Sequence, residues 1–403
     1  MRIDLWKGLK ASALVYTVLI SLILSLITLS LITAMQLHNQ RIAEITDMHQ
    51  VVRNADSGVT LMLADPQLGR SGTVGADLFG DGADSVYLKR IPWGGYEVIS
   101  VQAKRRRQTA NKHVLVGAVM SDTMNTLTMA DQGKPLSLCG DTRIEGPCLV
   151  PKSGVKRAYI EGKNYVGRKL IYGSQSKSPA SLPSVSIPAF NELISEDAEV
   201  MDHEDLQVLT LEKSFADKQL LIESVDRVDL SRMSCSGNVL IRSETGIHVG
   251  SSTELSGCIL SAPKVSFDRG FEGDVQVYAD SVTIGLEVKL KYPSGIYSKD
   301  GAVSLDEGAI LAGYIVMERS NAEPVVSLAD DVKVYGTLYN QGMTELKAAV
   351  YGQLLTGGFI LRTASATYEN HLLDAVISQS ELPRPFATHV TGDAGLITIK
   401  ELK

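Results

Sequence analysis

The segment Val228-Asp-Leu230 … Gly237-Asn-Val-Leu-Ile241 decides the fold, because the chain repeats its design six more times before Gly357. The later copies are Ile247-His-Val249 … Gly257-Cys-Ile-Leu260, Val265-Ser-Phe267 … Gly273-Asp-Val-Gln-Val277 and Val282-Thr-Ile284 … Gly295-Ile-Tyr297. Then come Val303-Ser-Leu305 … Gly313-Tyr-Ile-Val316, Val326-Ser-Leu328 … Gly336-Thr-Leu338 and a degenerate Thr344-Glu-Leu346 … Gly352-Gln-Leu-Leu355. Successive starts are 19, 18, 17, 21, 23 and 18 residues apart. Each copy is an apolar pair, a polar turn, a glycine and a second apolar run. One such unit cannot bury its apolar face alone, so the units must stack. That is the signature of a β-solenoid, with Val, Ile and Leu turned inward and Ser, Thr, Asp and Lys outward by the period-2 alternation of strands. The glycine after each turn suits a corner with positive φ or close backbone approach. A β-sandwich would explain short strands but not the fixed order of the pieces.

Upstream, Leu136-Ser-Leu138 … Ile144-Glu-Gly146-Pro-Cys-Leu149 reads as an eighth copy. The Pro/Ser-rich run Ser176-Lys-Ser-Pro-Ala-Ser-Leu-Pro-Ser-Val-Ser-Ile-Pro188 then breaks the register, since proline cannot sit in a central strand or helix. Residues 174–215 are expected to leave the solenoid as a loop with one short helix. Residues 366–403 leave the repeat again and are expected to close the solenoid's open end.

At the other end, Ala11 to Met35 contains no charged residue. Its 25 residues suffice to span the roughly 30 Å of a hydrocarbon core at about 1.5 Å per residue. Arg2, Lys7 and Lys10 precede it against Asp4 alone, so the positive-inside rule places the N-terminus in the cytoplasm. The run is longer than a signal-peptide core, and Thr33-Ala34-Met35-Gln36 is a poor cleavage site, which favours an uncleaved anchor. Thr17, Ser21, Ser25 and Thr28 share one helix face. They either pack against another membrane helix or bond to their own backbone one turn back. Ile42, Ile45, Met48, Val52, Ala55, Val59 and Met62 continue the helical period until Asp65-Pro66 ends it.

Asp84–Lys89, Tyr96–Ala103 and His113–Val119 read as antiparallel strands, with Trp93-Gly-Gly95 as the first turn and Lys104-Arg-Arg-Arg107 inside a solvated second loop. The chain is thus mainly β. It is read as a single-chain parallel β-helix preceded by a transmembrane α-helix and a small β-rich membrane-proximal module. The divisions are a basic cytoplasmic tail (1–10), a transmembrane helix (11–35) and an amphipathic juxtamembrane helix (36–65). A β-rich module (66–131), the solenoid (132–365) and the C-terminal cap (366–403) follow.

The N-terminal order, and Lys10-Ala-Ser-Ala-Leu-Val-Tyr-Thr-Val-Leu-Ile20 in particular, resembles type IV pilin-like proteins, namely minor pilins and pseudopilins of the PilX and GspK type. The resemblance implies prepilin-type cleavage after Gly8 or Ala11 and assembly through the membrane helix. Either cut would put Ala13 or Tyr16 where that family carries Glu. Val275-Gln-Val-Tyr-Ala-Asp-Ser-Val-Thr-Ile284 and Leu290-Lys-Tyr-Pro-Ser-Gly295 resemble uncharacterised membrane-anchored envelope proteins of Bacteroidota, implying a periplasmic β-helix without known chemistry.

Four cysteines suit an oxidising compartment, with Cys139 near Cys148 and Cys235 about one rung from Cys258 as disulfide candidates. No paired His or C-x-x-C motif suggests a metal or cofactor. A net charge of −7 and an external location argue against nucleic acid. Asp268, Asp274, Asp280, Asp306, Asp330 and Asp331 are scattered through turns rather than repeated at one position, and no serine-triad or nucleotide motif appears. Asp77-Leu-Phe-Gly-Asp81-Gly-Ala-Asp84 lacks the ligand spacing of a calcium loop. The expected role is a non-enzymatic, structural or adhesive protein of the inner membrane, with most of its mass periplasmic or extracellular. Its partners would be envelope or pilus-like assembly proteins. A carbohydrate-active β-helix enzyme or carbohydrate-binding module is the alternative.

Overall fold

The computed structural model describes residues 9–402 apart from 79, 81, 83, 122, 204–209, 320–322, 324 and 391–393, with side chains from residue 13 onward. The chain divides into two compact units. The first comprises the helix through Gly58 with residues 75–87 and 102–111; the second comprises residues 59–74, 88–101 and 112–403.

The expected membrane and juxtamembrane segments are one unbroken α-helix, Leu9–Ala64, which belongs to the first unit as far as Gly58. Its most apolar stretch reaches a mean hydropathy of 2.5 with no residue of it buried, long and apolar enough to cross a membrane. Further along, the helix turns Asp47, Val51, Asn54 and Ala55 inward. Ile42, Ile45, Met48 and Val52 stay exposed. The hairpin Tyr96–Arg105/Gln108–Val119 is tighter than expected, because its tip is only Arg106 and Arg107 rather than a loop from 104 to 112.

The second unit holds the solenoid, mainly parallel sheet of about 12 turns. Its length follows from one column of paired strands whose inward residues are Ile222, Ile241, Leu260, Val277, Ile296, Ile315, Leu338, Leu354, Leu127 and Cys148. All ten lie in one continuous apolar core. At one corner Gly336 stacks on Gly313 with φ +124°, where an added Cβ would meet the Gly313 carbonyl oxygen at 2.0 Å.

The column is not in sequence order. Leu354 pairs with Leu127, Leu127 with Cys148, and Cys148 with Gln175. The upstream copy is therefore a genuine coil, but it stacks beyond the last downstream coil, and the solenoid begins at Leu127 rather than at 132. This closes the C-terminal pole, the task expected of residues 366–403. Those residues instead split: His371–Leu373 and Val376–Ser378 complete a coil against Ser137–Cys139 and Arg143–Ile144. Ala387–Thr388 and Leu396–Leu402 pair antiparallel with Gln108–Val119 in the small sheet.

The excursion is likewise shorter than 174–215. Gln175–Lys177 is the terminal rung at one pole, Glu199–Asp202 is the terminal rung at the other, and Thr210–Lys213 pairs with Ser234–Gly237. Between the poles the Pro/Ser-rich run is a strap along one sheet. Pro183 O accepts from the Tyr339 hydroxyl, Phe190 meets the Tyr278 ring edge-on, and Leu193 O accepts from Gln219 Nε2. Prolines suit a strap because they bring no N–H that must find a partner.

The strap explains a departure from the in/out rule. Leu221, Leu240, Ile259, Tyr278, Tyr297, Val316 and Tyr339 point outward from the sheet yet are buried in a second apolar cluster. Ile187 and Leu193 of the strap and Trp93, Tyr96, Val98 and Leu115 of the antiparallel strands complete that cluster. A sheet covered on both faces carries consecutive apolar residues, as Val239-Leu-Ile241 and Tyr314-Ile-Val-Met317 do. Arg90 secures the helix end in the same unit. It donates to the carbonyl of Met62 in the last helical turn, to those of Asp65 and Leu68 just beyond the helix, and to Glu97.

Candidate functional site

The solenoid sheet made by the three- and four-residue strands carries the most regular surface. The middle residue of each copy points outward, and strict parallel register sets Asp229, His248, Ser266, Thr283, Ser304, Ser327 and Glu345 in one straight column. At about 4.8 Å per step the column is about 29 Å long. Thr283 is exposed, while His248, Ser266, Ser304 and Ser327 are half-buried. Its centre is a row of small hydroxyls, each able to donate and to accept. The two ends are charged and tied to neighbours. Asp229, helped chiefly by hydrogen bonds from Ser231, is held below the usual carboxylate range. Glu345 receives Arg362 at 2.7 Å and lies 3.5 Å from Lys347 and 3.3 Å from Ser327 Oγ.

Within the column, Ser266 Oγ lies 3.2 Å from His248 Nδ1, and His248 Nε2 lies 3.3 Å from Asp268 Oδ2. This hydroxyl–imidazole–carboxylate chain was invisible in the sequence because its members sit on adjacent coils; only the register joins them. Acyl transfer would also need amide donors aimed at a developing oxyanion. The nearby amides of Asp268 and Gly285 are already donated to Val249 and Phe267 in coil-to-coil bonds. What the column offers chemically is recognition by many weak polar contacts.

The scattered carboxylates stay apart. Asp268 faces His248, while Asp274 accepts from Ser256, Gly257 and Lys400. Asp280 lines a groove of about 500 Å³ with Arg242, Glu244, Tyr278, Tyr297 and Lys299, and Asp306, Asp330 and Asp331 occupy turns. Among the described residues no group of three His, Cys, Asp or Glu could hold a metal ion. In the Asp77 loop, whose Asp81 lies outside the described residues, the Asp77 carboxylate accepts the amides of Gly80 and Gly82, and Asp84 pairs with Arg105.

The basic tip is more than a solvated loop. Arg105 reaches Asp47 on the helix at 3.0 Å and Asp84 at 2.6 Å, and Arg106 reaches Asp47 at 3.0 Å. The Arg105 guanidinium keeps the Asp47 carboxyl below its ordinary range. This network lies wholly within the first unit.

On the apolar helix, Thr17, Ser21 and Ser25 donate to Leu14, Val18 and Leu22 at 2.8–2.9 Å, and Thr28 donates to Leu24 and Ser25. Their hydroxyls are thus satisfied within the helix, and the face they share is exposed. Gly8 lies outside the described residues, and Ala11 is described only as helix.

All four cysteines carry no disulfide and are buried. Cys139 packs with Ile160 and Leu361, whereas Cys148 belongs to the main core, so the expected local pair is parted into different clusters. Burial pushes the Cys148 thiol up to about 12. Cys235 and Cys258 are side by side in the core, sulfur to sulfur 3.2 Å.

Comparison of the chain with protein-family models, curated proteins and solved structures finds no match in any of the three. What the fold and surfaces define is a class: a β-solenoid carrying a long, exposed, apolar N-terminal helix.

Proposed function

We propose that this chain is a non-enzymatic protein of a cell envelope, anchored in the inner membrane by its N-terminal helix and carrying the solenoid outside the cytoplasm as a scaffold or adhesive module. The observation that carries this reading is the helix. Burying none of its most apolar stretch, it presents side chains such as Leu14, Tyr16 and Leu29 at 61–69 % exposure, which water would penalise and a bilayer would not. The positive charges before the helix support a cytoplasmic N-terminus. The register-locked polar column supports adhesion over catalysis, since it multiplies weak contacts along a surface and holds no enclosed reaction site. A minor pilin-like role, with the Thr17–Thr28 face joining other membrane helices, is the finer form of the proposal.

Intact mass and N-terminal sequence of the protein from native membranes test it. A start at Leu9 or Ser12 would assign prepilin-type processing and the filament-subunit form. An unprocessed start leaves a permanent anchor, and a start beyond Met35 would refute anchoring altogether.

A further inference from the structure

The geometry points to a covalent staple between Cys235 and Cys258 that locks two neighbouring coils of the solenoid. The pair is 23 residues apart in sequence, yet the two sulfurs are 3.2 Å apart inside the core. A disulfide needs about 2.05 Å, so about 1.1 Å of closure suffices. A local irregularity makes this approach. Cys235 aligns with Leu255, but the strand bulges between Ser256 and Cys258, with Gly257 at φ +73°. The bulge brings Cys258 inward beside Cys235, where its thiol also contacts Cys235 O at 3.2 Å. The two schemes that would join Cys139 to Cys235 or Cys258 are disfavoured because Cys139 lies in a separate cluster from both, and Cys148 is parted from Cys139 in the same way.

The position gives the staple a purpose. Counting strands from the pole formed by Glu199–Asp202, the next are Leu220–Ser224, Val239–Ser243 and Glu254–Ser261. Cys235 belongs to the coil of the third of these four and Cys258 to that of the fourth. A solenoid opens from its ends, where each coil has a single neighbour. A bond at this depth stops such opening after two coils.

The chemistry is thiol–disulfide exchange with a disulfide-bearing oxidant, either a small molecule or an oxidoreductase. One cysteine thiolate attacks the oxidant's disulfide, forming a mixed disulfide and releasing one oxidant thiolate. The second cysteine thiolate then attacks the cysteine sulfur of that bond and releases the other. Two protein thiols are oxidised, one oxidant disulfide is reduced to two thiols, and the two cysteine protons pass to them. In the closed core, the neighbouring sulfur of Cys235 and burial hold the Cys258 thiol well above its ordinary range, so little thiolate is present. The exchange therefore belongs to folding, before the coils close.

In cells the staple rests on the proposed placement of the solenoid on the oxidising side, and the test separates the two ideas. The full chain is made by cell-free synthesis into lipid nanodiscs in oxidising or reducing glutathione, and peptides are mapped without reduction. The expected result in oxidising buffer is a single cross-linked pair joining the Cys235 and Cys258 peptides, with Cys139 and Cys148 alkylated only after unfolding. Thermal melting should fall when reductant is added, and Cys235→Ala and Cys258→Ser should abolish that dependence. Four thiols that alkylate once the chain folded in oxidising buffer is unfolded without reductant, or cross-links through Cys139 or Cys148, would overturn the staple whatever the compartment. A staple formed in nanodiscs but reduced in acid-quenched native membranes would leave it standing and refute the external placement instead.

Discussion

Replacing Gly336 by alanine tests the stacked-coil geometry where two coils meet backbone to backbone. Gly336 has φ +124°, far from the left-handed well near +57° that an L-residue can visit. An alanine Cβ would also lie 2.0 Å from the Gly313 carbonyl oxygen of the coil beneath, a backbone atom fixed by its own ladder. The backbone strain alone costs about 1–3 kcal/mol, and parting two coils to admit a methyl group adds a steric cost of about 1–3 kcal/mol. A combined loss of about 2–6 kcal/mol follows. Gly270 is the internal control, because its φ is +77° with nothing within 4 Å of the added carbon. There only the left-handed penalty of about 1–2 kcal/mol applies. At roughly 2 °C per kcal/mol for a large domain, Gly336→Ala should lower Tm by roughly 4–12 °C and always by more than Gly270→Ala, whose shift stays at or below roughly 4 °C. Scanning calorimetry of the two variants in detergent reads the difference. Equal shifts would refute the inter-coil contact, and with it the register that builds the solenoid corner.

Three further outcomes follow from the buried polar groups. Burial lowers His389 to about 4, so it is neutral when folded but protonates near 6.5 when unfolded. The unfolded state then binds more protons, and about 3 kcal/mol of stability is lost as pH falls from 6.5 to 4. His389→Leu should flatten that part of the Tm–pH curve, and an unchanged slope would remove His389 as its cause. The Tyr314 hydroxyl takes the Gly95 amide at 2.6 Å and donates to Gln276 at 2.5 Å, so Tyr314→Phe leaves two buried groups unpaired. It should cost about 2–4 kcal/mol in denaturant unfolding; a loss below about 1 kcal/mol would contradict the pairing. In the first unit, Arg105→Met strips the partner from Asp84, whose side chain is 2 % exposed. Amide exchange across Gln102–Asn111 should quicken roughly ten-fold or more, with the solenoid amides unchanged.

The coil is legible in the sequence because its determinant is local. Apolar residues two apart, followed by a turn and a glycine, recur at one period, and each copy from Val228 to Leu355 forms the strands that this pattern requires. The helix is legible for the same reason: an uncharged run joined to a 3.6-residue period that stops at Asp65-Pro66. Stacking order is not local. Nothing in Leu127-Thr-Met129 says that, besides pairing with Cys148-Leu149 next in the chain, it rests on Leu354-Leu-Thr356, more than 200 positions downstream. The strap was legible as an interruption, since its prolines forbid a strand. Its docking was signalled only indirectly, by outward positions such as Leu240, Ile259 and Tyr278 that alternation would have made polar. The polar column stood in plain view as the middle residue of each repeat. Its hydroxyl–imidazole–carboxylate chain needed the register to appear.

Anchoring by the N-terminal helix, with the solenoid outside the cytoplasm, is tested most directly by alkaline carbonate extraction of native membranes combined with protease treatment of intact spheroplasts. The account predicts a chain that stays in the membrane at high pH and is cut by external protease, leaving an N-terminal fragment that contains the helix. Release by carbonate, or full protection until the spheroplasts are lysed, would contradict it.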